Sequence, residues 1–157
     1  MLDMGCGFGE FLKYLVGKGV ACFGIDSNAA HVAMCNEFGL VTQVGNILDF
    51  RSEKKFENAI LDNVLEHLDQ NEIALFFGNI RNVLTPKGRL IVIVPCLKGQ
   101  SKDPTHKTYV TKDLISNISS KHGIKLIEMV KFLMCWELGI TILQMIMVET
   151  NTNSFSH

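Results

Sequence analysis

Met1-Leu-Asp-Met-Gly-Cys-Gly-Phe-Gly9 is the stretch that decides the fold of this chain. Met1–Met4 reads as the end of a buried strand, and Gly5, Gly7 and Gly9 follow it at alternate positions. Glu10-Phe-Leu-Lys-Tyr-Leu-Val16 then has the spacing of an amphipathic helix. A strand, a glycine turn and a helix, in that order, build a site for a nucleotide-type ligand. Glycines lack a Cβ, so the backbone can turn sharply and approach the ligand closely. The start of the helix presents unpaired N–H groups there. Asp3, just ahead of the turn, indicates the kind of ligand: a carboxylate suits a positively charged amino group better than a pyrophosphate.

Beyond Gly9 the chain keeps alternating. Val20–Ile25, Leu40–Val44, Phe56–Leu61 and Arg89–Val94 read as strands. Glu10–Lys18, Asn28–Phe38, Asn71–Leu84 and Thr111–Lys121 read as helices; Gly19, Gly39 and the turn at Pro86 and Gly88 supply stop signals. Arg89–Val94 is a continuous apolar run of the kind buried on both faces of a parallel sheet. Ile124–Phe132 and Ile140–Val148 read as a closing pair of strands. The expected fold is α/β: an open, doubly wound, mostly parallel sheet with an antiparallel closing strand. Ligands of such sheets lie outside the carboxyl ends of the strands, where strand order reverses. Residues 1–148 are expected to form one domain and residues 149–157 a flexible polar tail.

Of the 157 residues, 47% are hydrophobic and 20% charged, enough for one domain with a sizeable core. The net charge is −1 and no basic tract stands out, which argues against nucleic acid as a partner. Cys6, Cys22, Cys35, Cys96 and Cys135 are odd in number and contain no C-x-x-C pair, so reduced thiols in a cytoplasmic protein are expected. No metal-ligand spacing is visible, and no metal is expected. No signal peptide is expected either, because no positively charged leader precedes the glycine motif. The apolar run Phe132–Val148 carries Glu137 and Gln144 and is shorter than the roughly 20 residues of a membrane helix. It reads as two buried strands, or a strand and a short helix, and no membrane partner is expected.

The acid-x-Gly-x-Gly-x-Gly pattern of Asp3 to Gly9 resembles the first motif of class I S-adenosylmethionine-dependent methyltransferases. The dinucleotide fingerprint spaces its glycines as G-x-G-x-x-G, and here the third glycine comes one residue too early for it. A nicotinamide-dependent oxidoreductase is therefore disfavoured. The resemblance implies a Rossmann-like sheet, S-adenosylmethionine as cofactor, and Asp3, Gly5, Cys6, Gly7 and Gly9 in its binding site. Asp26, which ends the second strand beside Ser27, takes the ribose-binding place, where a carboxylate accepts from two hydroxyls at once. Read as residues alone, Asp26 and Ser27 are equally good helix caps. Gly45-Asn-Ile-Leu-Asp49 stands where the family usually has Gly-Asp-x-x-Asp/Glu. Asn46 would accept from the adenine amino group and the Ile47 N–H would donate to the ring; the bland alternative is an Asn turn.

Phe56-Glu-Asn-Ala-Ile-Leu-Asp-Asn-Val-Leu-Glu-His-Leu68 resembles the family's fourth motif, with Glu57 where Asp is usual. It implies that Asp62 and Asn63 lie beside the methionine end of the cofactor. Glu66 and His67 read either as a surface acid and a packed histidine or, by the motif, as a turn that brings His67 to the pocket. Thr85-Pro-Lys-Gly88 resembles the family's turn into the fifth strand, with Lys87 replacing a glycine. Asp103-Pro-Thr-His-Lys-Thr-Tyr109 resembles a substrate-facing loop of some small-molecule and glycan-associated methyltransferases. His106 and Tyr109 are thus candidates for acceptor contact. His67 and His106 are the candidate general bases, since imidazole titrates near neutrality.

Relatives with this motif normally carry one or two helices ahead of the first strand, whereas this chain starts inside it. An N-terminal truncation is expected, with a missing segment or a protein partner completing the lid, along with weak stability and reduced or absent activity. The expected function is methyl transfer to a small-molecule or glycan-type acceptor by in-line attack on the sulfonium methyl. The competing reading is a catalytically inactive cofactor-binding or regulatory subunit.

Overall fold

The structure is a computed structural model that describes residues 1–96, 103–136 and 139–151; for 132–136 and 139–144 only the backbone course is described. Seven strands form one sheet: β1 (Leu2–Met4), β2 (Phe23–Asp26), β3 (Thr42–Val44), β4 (Phe56–Asp62), β5 (Leu84–Pro95), β6 (Ile124–Trp136) and β7 (Gly139–Thr150). Their spatial order is β3-β2-β1-β4-β5-β7-β6. From β3 to β5 all neighbours are parallel. β7 runs antiparallel between β5 and β6, so the expected antiparallel closure is present. Among the described residues the helices are α1 (Glu10–Gly17), α2 (Ala29–Glu37), α3 (Gln70–Ile80) and α4 (Lys112–Lys121), and a 3₁₀ turn covers Leu65–His67. The chain winds one way from β1 through β2 to β3 and the other way from β4 onward. The reversal therefore lies between β1 and β4.

Alternation along the strands divides the core. Leu2, Met4, Ile25, Ala59 and Leu61 join a large apolar cluster with Ile73, Phe76, Phe77 and Ile80 of α3 and Ile115 and Ile118 of α4. The opposite face belongs to α1 and α2. A Cβ on Gly24, one residue from Ile25, would point at Leu12 Cδ1 and Cys6 Sγ. Those atoms belong to a second cluster of Cys6, Leu12, Cys35 and Leu40. Successive strand residues point to opposite faces, so one short strand serves both layers.

The helix expected over Asn71–Leu84 stops at Ile80, and Leu84 already belongs to β5. Ile80, Val83 and Leu84 are all buried, and their i, i+3, i+4 spacing continues the helical stripe of α3. The backbone decides otherwise: the Val83 carbonyl accepts from Phe56 N, and Leu84 pairs with Phe56 across the sheet. Pairing then slips across residues 85–88 before Arg89 meets Asn58, and Lys87 takes a left-handed φ of 64° in that irregularity. At the start of α3 an Asp69–Glu72 capping box is complete, each side chain accepting from the other's backbone N–H.

The closing strands also differ in length from expectation. β7 reaches Thr150, two residues into the stretch read as tail, and the Thr150 hydroxyl donates to the Thr85 carbonyl at 2.9 Å. Residues 152–157 of that tail lie outside the described residues, as do Glu137 and the side chains of 132–136 and 139–144 in the apolar run. The backbone of the run forms β6 and β7, the two-strand alternative. Among the described residues no helix is long and apolar enough to cross a membrane. Cys6, Cys22, Cys35 and Cys96 are free thiols, and the Cys135 side chain lies outside the described set.

Candidate active site

The tips of β1, β2, β3 and β4 surround two adjoining hollows. The first, of about 320 Å³, is lined by Gly5, Asp26, Ser27, Gly45, Asn46 and Ile47 on one side and by Asp62, Asn63, Val64, His67 and Leu68 on the other. The second, of about 470 Å³, is lined by Asp3, Gly5, Cys6, Gly7, Glu10, Phe11, Tyr14 and Asp62. Gly5 and Asp62 line both, so the two hollows form one cradle across the switch point. The open α/β topology requires a ligand crevice at this place.

The glycine loop is shaped by what presses on it. Gly5 has φ +86°, and a Cβ there would lie 2.5 Å from Val64 Cγ2. Gly9 caps α1 in the left-handed conformation, and a Cβ would lie 2.6 Å from Leu40 Cδ1. Only a residue without a side chain satisfies both the backbone angle and the space. Gly7 carries its N–H to Asp26 Oδ2 at 2.9 Å, which ties the loop to the tip of β2.

Asp26 is thus not a bare carboxylate. Its Oδ1 accepts from Asn28 N at 2.8 Å and lies 3.4 Å from His31 Nδ1. The cap of α2 is Asn28, whose side chain accepts from Ala30 N. That frees Asp26 from the capping task, and Asp26 lines the first hollow. Asn46 makes the turn that was the bland alternative: its Oδ1 accepts from Leu48 N at 2.9 Å. Its position on the hollow wall is unaffected, and a second lone pair on that oxygen remains for a ligand. Asn63 takes a left-handed φ of 52°, and its amide donates to Asp62 Oδ1 at 2.8 Å.

The electrostatics of the cradle favour a cation. Asp3 is 4% exposed, and burial, with Asp62 and Asp26 adding to it, pushes its carboxyl up to about 7. Three carboxylates around one space repel each other, and a positive charge among them relieves that repulsion. Burial first, then Asp3, push the Cys6 thiol up to about 12, which keeps it protonated.

The loop before α4 is fastened to the 3₁₀ turn. Lys107 N and Thr108 N both donate to the Glu66 carbonyl, at 2.8 and 3.1 Å. This stacks His106 edge-on against His67, ring centres 4.9 Å apart. His67 lines the first hollow; His106 sits behind it and lines neither. Tyr109 is 37% exposed and likewise lines neither. His67 Nδ1 lies 3.1 Å from Thr105 Oγ1, whose hydroxyl donates to Asp103 Oδ1 at 2.6 Å. The two hydrogen bonds from Thr105 hold the Asp103 carboxyl below its ordinary range.

Glu66 corrects the surface-acid reading. It is 0% exposed, its two carboxylate oxygens make no hydrogen bond, and burial pushes its carboxyl up to about 7. Oε1 lies 4.0 Å from His106 Nε2. Glu66, His67 and His106 form a cluster of potential donors within 4.8 Å of one another. Sequence spacing could not show it, because 39 residues separate His67 from His106 along the chain.

A family model described as "Methyltransferase domain" matches residues 2–92. "Probable methyltransferase PMT4" of Arabidopsis thaliana is 26% identical over an alignment of 148 residues. That alignment covers 88% of this chain but 22% of the relative, so the chain spans under a quarter of that protein's length. Among solved structures, a "SAM dependent methyltransferase from Archaeoglobus fulgidus" superposes with a TM-score of 0.80 at 18% identity, covering 95% of this chain and 85% of that one. "Magnesium protoporphyrin IX methyltransferase (ChlM) from Synechocystis PCC 6803 with bound SAH" gives 0.76 at 15% identity, covering 96% and 73%. At these identities the structural likeness speaks for the fold.

Proposed function

This chain belongs to the methyltransferase domain family, and on that premise we propose that it transfers the methyl group of S-adenosylmethionine to a small-molecule or glycan-type acceptor. The observation that carries the proposal is the pair of hollows joined at Gly5 and Asp62, with Asp3, Asp26 and Asp62 on their walls. An elongated ligand with a neutral, hydroxylated end and a cationic end matches that division. The adenosine lies in the first hollow. Its ribose hydroxyls donate to Asp26, which the Gly7 and Asn28 N–H groups hold in place. Asn46 and the Ile47 N–H meet the adenine edge, and Ser27 closes the wall beside the ribose. The methionine end runs into the second hollow over Gly5, Cys6, Gly7 and Gly9. There the buried Asp3 carboxylate, together with Asp62 and the backbone at Asn63, receives the amino group.

The sulfonium is its own activated leaving group. The acceptor's lone pair forms the new bond to carbon as the S–CH₃ bond breaks, leaving S-adenosylhomocysteine. Holding the two in line supplies roughly 7–11 kcal/mol of the barrier reduction. His67, on the rim of the first hollow, faces the acceptor with His106 behind it, and these rings manage the proton of a hydroxyl acceptor. Tyr109 stands on the same loop as His106 and contributes acceptor contact. The test is release of S-adenosylhomocysteine from S-adenosylmethionine over a panel of hydroxylated small molecules and oligosaccharides. Acceptor-dependent release that falls at least tenfold in His67→Ala supports the reading. Cofactor binding without release on any acceptor would overturn it.

A further inference from the structure

We propose that Glu66, His67 and His106 form a binding site for a divalent first-row transition cation of the zinc class, at the acceptor edge of the cofactor cradle. The reading deepens the proposed methyl transfer and rests on it only for the cation's role, not for its binding.

Three observations support it independently of any titration. Glu66 is fully buried, and neither carboxylate oxygen makes a hydrogen bond, a costly arrangement for a buried polar group unless a partner arrives. His106 Nε2 faces that carboxylate at 4.0 Å, too far for a hydrogen bond but suited to two donors sharing one ion. The donor atoms of Glu66, His67 and His106 all lie within 4.8 Å of one another. Tetrahedral zinc with bonds of about 2.0–2.2 Å spaces its donors about 3.4 Å apart. The side chains need therefore close by only on the order of 1 Å, within the reach of small χ adjustments.

The surroundings set the tautomer of His67. The Thr105 hydroxyl gives its proton to Asp103 Oδ1, so the His67 Nδ1 beside it must be the donor to Thr105. The lone pair then sits on Nε2. A ring nitrogen held by a hydroxyl–carboxylate relay is the usual outer support of a metal-binding histidine. Asp103 Oδ2 lies 3.8 Å from His106 Nε2 and supports the site from outside, so three protein donors leave the fourth position of a tetrahedral ion open. Two imidazoles and a carboxylate suit zinc, iron(II), cobalt(II) or nickel(II) better than magnesium or calcium, which favour all-oxygen sets.

The site opens beside the first hollow through His67. A cation there takes an acceptor hydroxyl oxygen in an open position and lowers the pKa of that hydroxyl. The two histidines then act on the acceptor's proton through the cation rather than as free bases: the proton leaves to solvent, and the oxygen attacks the sulfonium methyl. The favoured acceptors are accordingly those that offer a metal-binding oxygen next to the methylated one.

The experiment uses the EDTA-treated, dialysed chain with no cofactor. Cobalt(II) and zinc(II) chloride are titrated separately, with magnesium chloride as the contrasting probe. The expected result is one equivalent of cobalt or zinc bound at micromolar or lower concentration, and none of magnesium. The cobalt spectrum should carry d–d bands without a thiolate charge-transfer band, which separates this site from cysteine binding. Glu66→Gln and His106→Ala should each weaken binding by at least tenfold while S-adenosylmethionine is still bound. In zinc-titrated wild-type protein the ring protons of His67 and His106 should shift together, with those of His31, His122 and His157 unmoved, a readout that needs no variant. Binding only at millimolar metal, a thiolate spectrum, or shifts confined to other histidines would overturn the proposal. Failure of S-adenosylmethionine to bind would instead strike the methyltransferase reading and leave the metal result standing.

Discussion

Replacing Asp3 by Asn should stabilise the empty protein, and the gain should depend on pH. Asp3 is 4% exposed at the tip of β1, and its carboxyl is raised from 3.8 to about 7. In the folded chain it keeps its proton up to about pH 7; in the unfolded chain it loses it near 3.8. Between those values the folded state binds the extra proton, so stability falls as pH rises. The contribution is fully present below the unfolded value and is lost as pH passes through about 7. At about 1.4 kcal/mol for each tenfold change, the loss between pH 4 and pH 8 is on the order of 3–4 kcal/mol. That is a large share of the roughly 5–15 kcal/mol that holds a domain together. Asn has a similar shape and no charge, so Asp3→Asn should remove this slope. Urea unfolding of both proteins at pH 4, 6 and 8 measures it. The variant's advantage should be small at pH 4 and grow to a few kcal/mol at pH 8. An advantage that does not change with pH would refute the reasoning. The same variant should lose cofactor affinity, because the repulsion that destabilises the empty cradle is what a cationic ligand relieves.

Other outcomes follow from single contacts. Asp26→Ala removes the acceptor for Gly7 N and Asn28 N as well as for the ribose, and calorimetry should show S-adenosylmethionine affinity down at least 100-fold, about 3 kcal/mol. Gly5→Ala places a Cβ 2.5 Å from Val64 Cγ2 at φ +86°, so it should cost about 1–3 kcal/mol and lower Tm by several degrees in a thermal melt. Phe76→Ala empties a fully buried site under the sheet and should cost about 3–5 kcal/mol by denaturant unfolding, with cofactor contacts untouched. S-adenosylmethionine affinity should weaken as pH falls below about 7, approaching tenfold per pH unit, because binding must displace the Asp3 proton; titrations at pH 5.5, 6.5 and 7.5 check it.

The parts of this fold that local chemistry dictates could be read from the sequence. The glycine loop, Asp26 at the end of β2, and Asp62 with Asn63 at the end of β4 each announce themselves by residue type and by place after an apolar run. The sheet brings their neighbourhoods to one cradle because parallel strands align their carboxyl ends. What local pattern could not show is long-range. The end of α3 differs from the sequence expectation because Val83 and Leu84 fit a helical stripe as well as a strand, and only pairing with Phe56 separates the two. Glu66 reads as a surface acid because nothing near it in sequence reveals that Lys107 and Thr108 dock on its carbonyl and close the loop over it. For the same reason the meeting of His67 with His106 appears only in three dimensions. Asn46 shows a further limit: the same residue both makes a turn and faces the hollow, and its type does not say which task selected it.

The central claim is that the cradle over β1, β2 and β4 holds S-adenosylmethionine. Calorimetric titration of the chain with S-adenosylmethionine, S-adenosylhomocysteine and NAD tests it most directly. The account predicts one equivalent of each adenosyl compound bound and no heat from NAD. Saturable NAD binding, or no binding of either adenosyl compound to the folded chain, would contradict it.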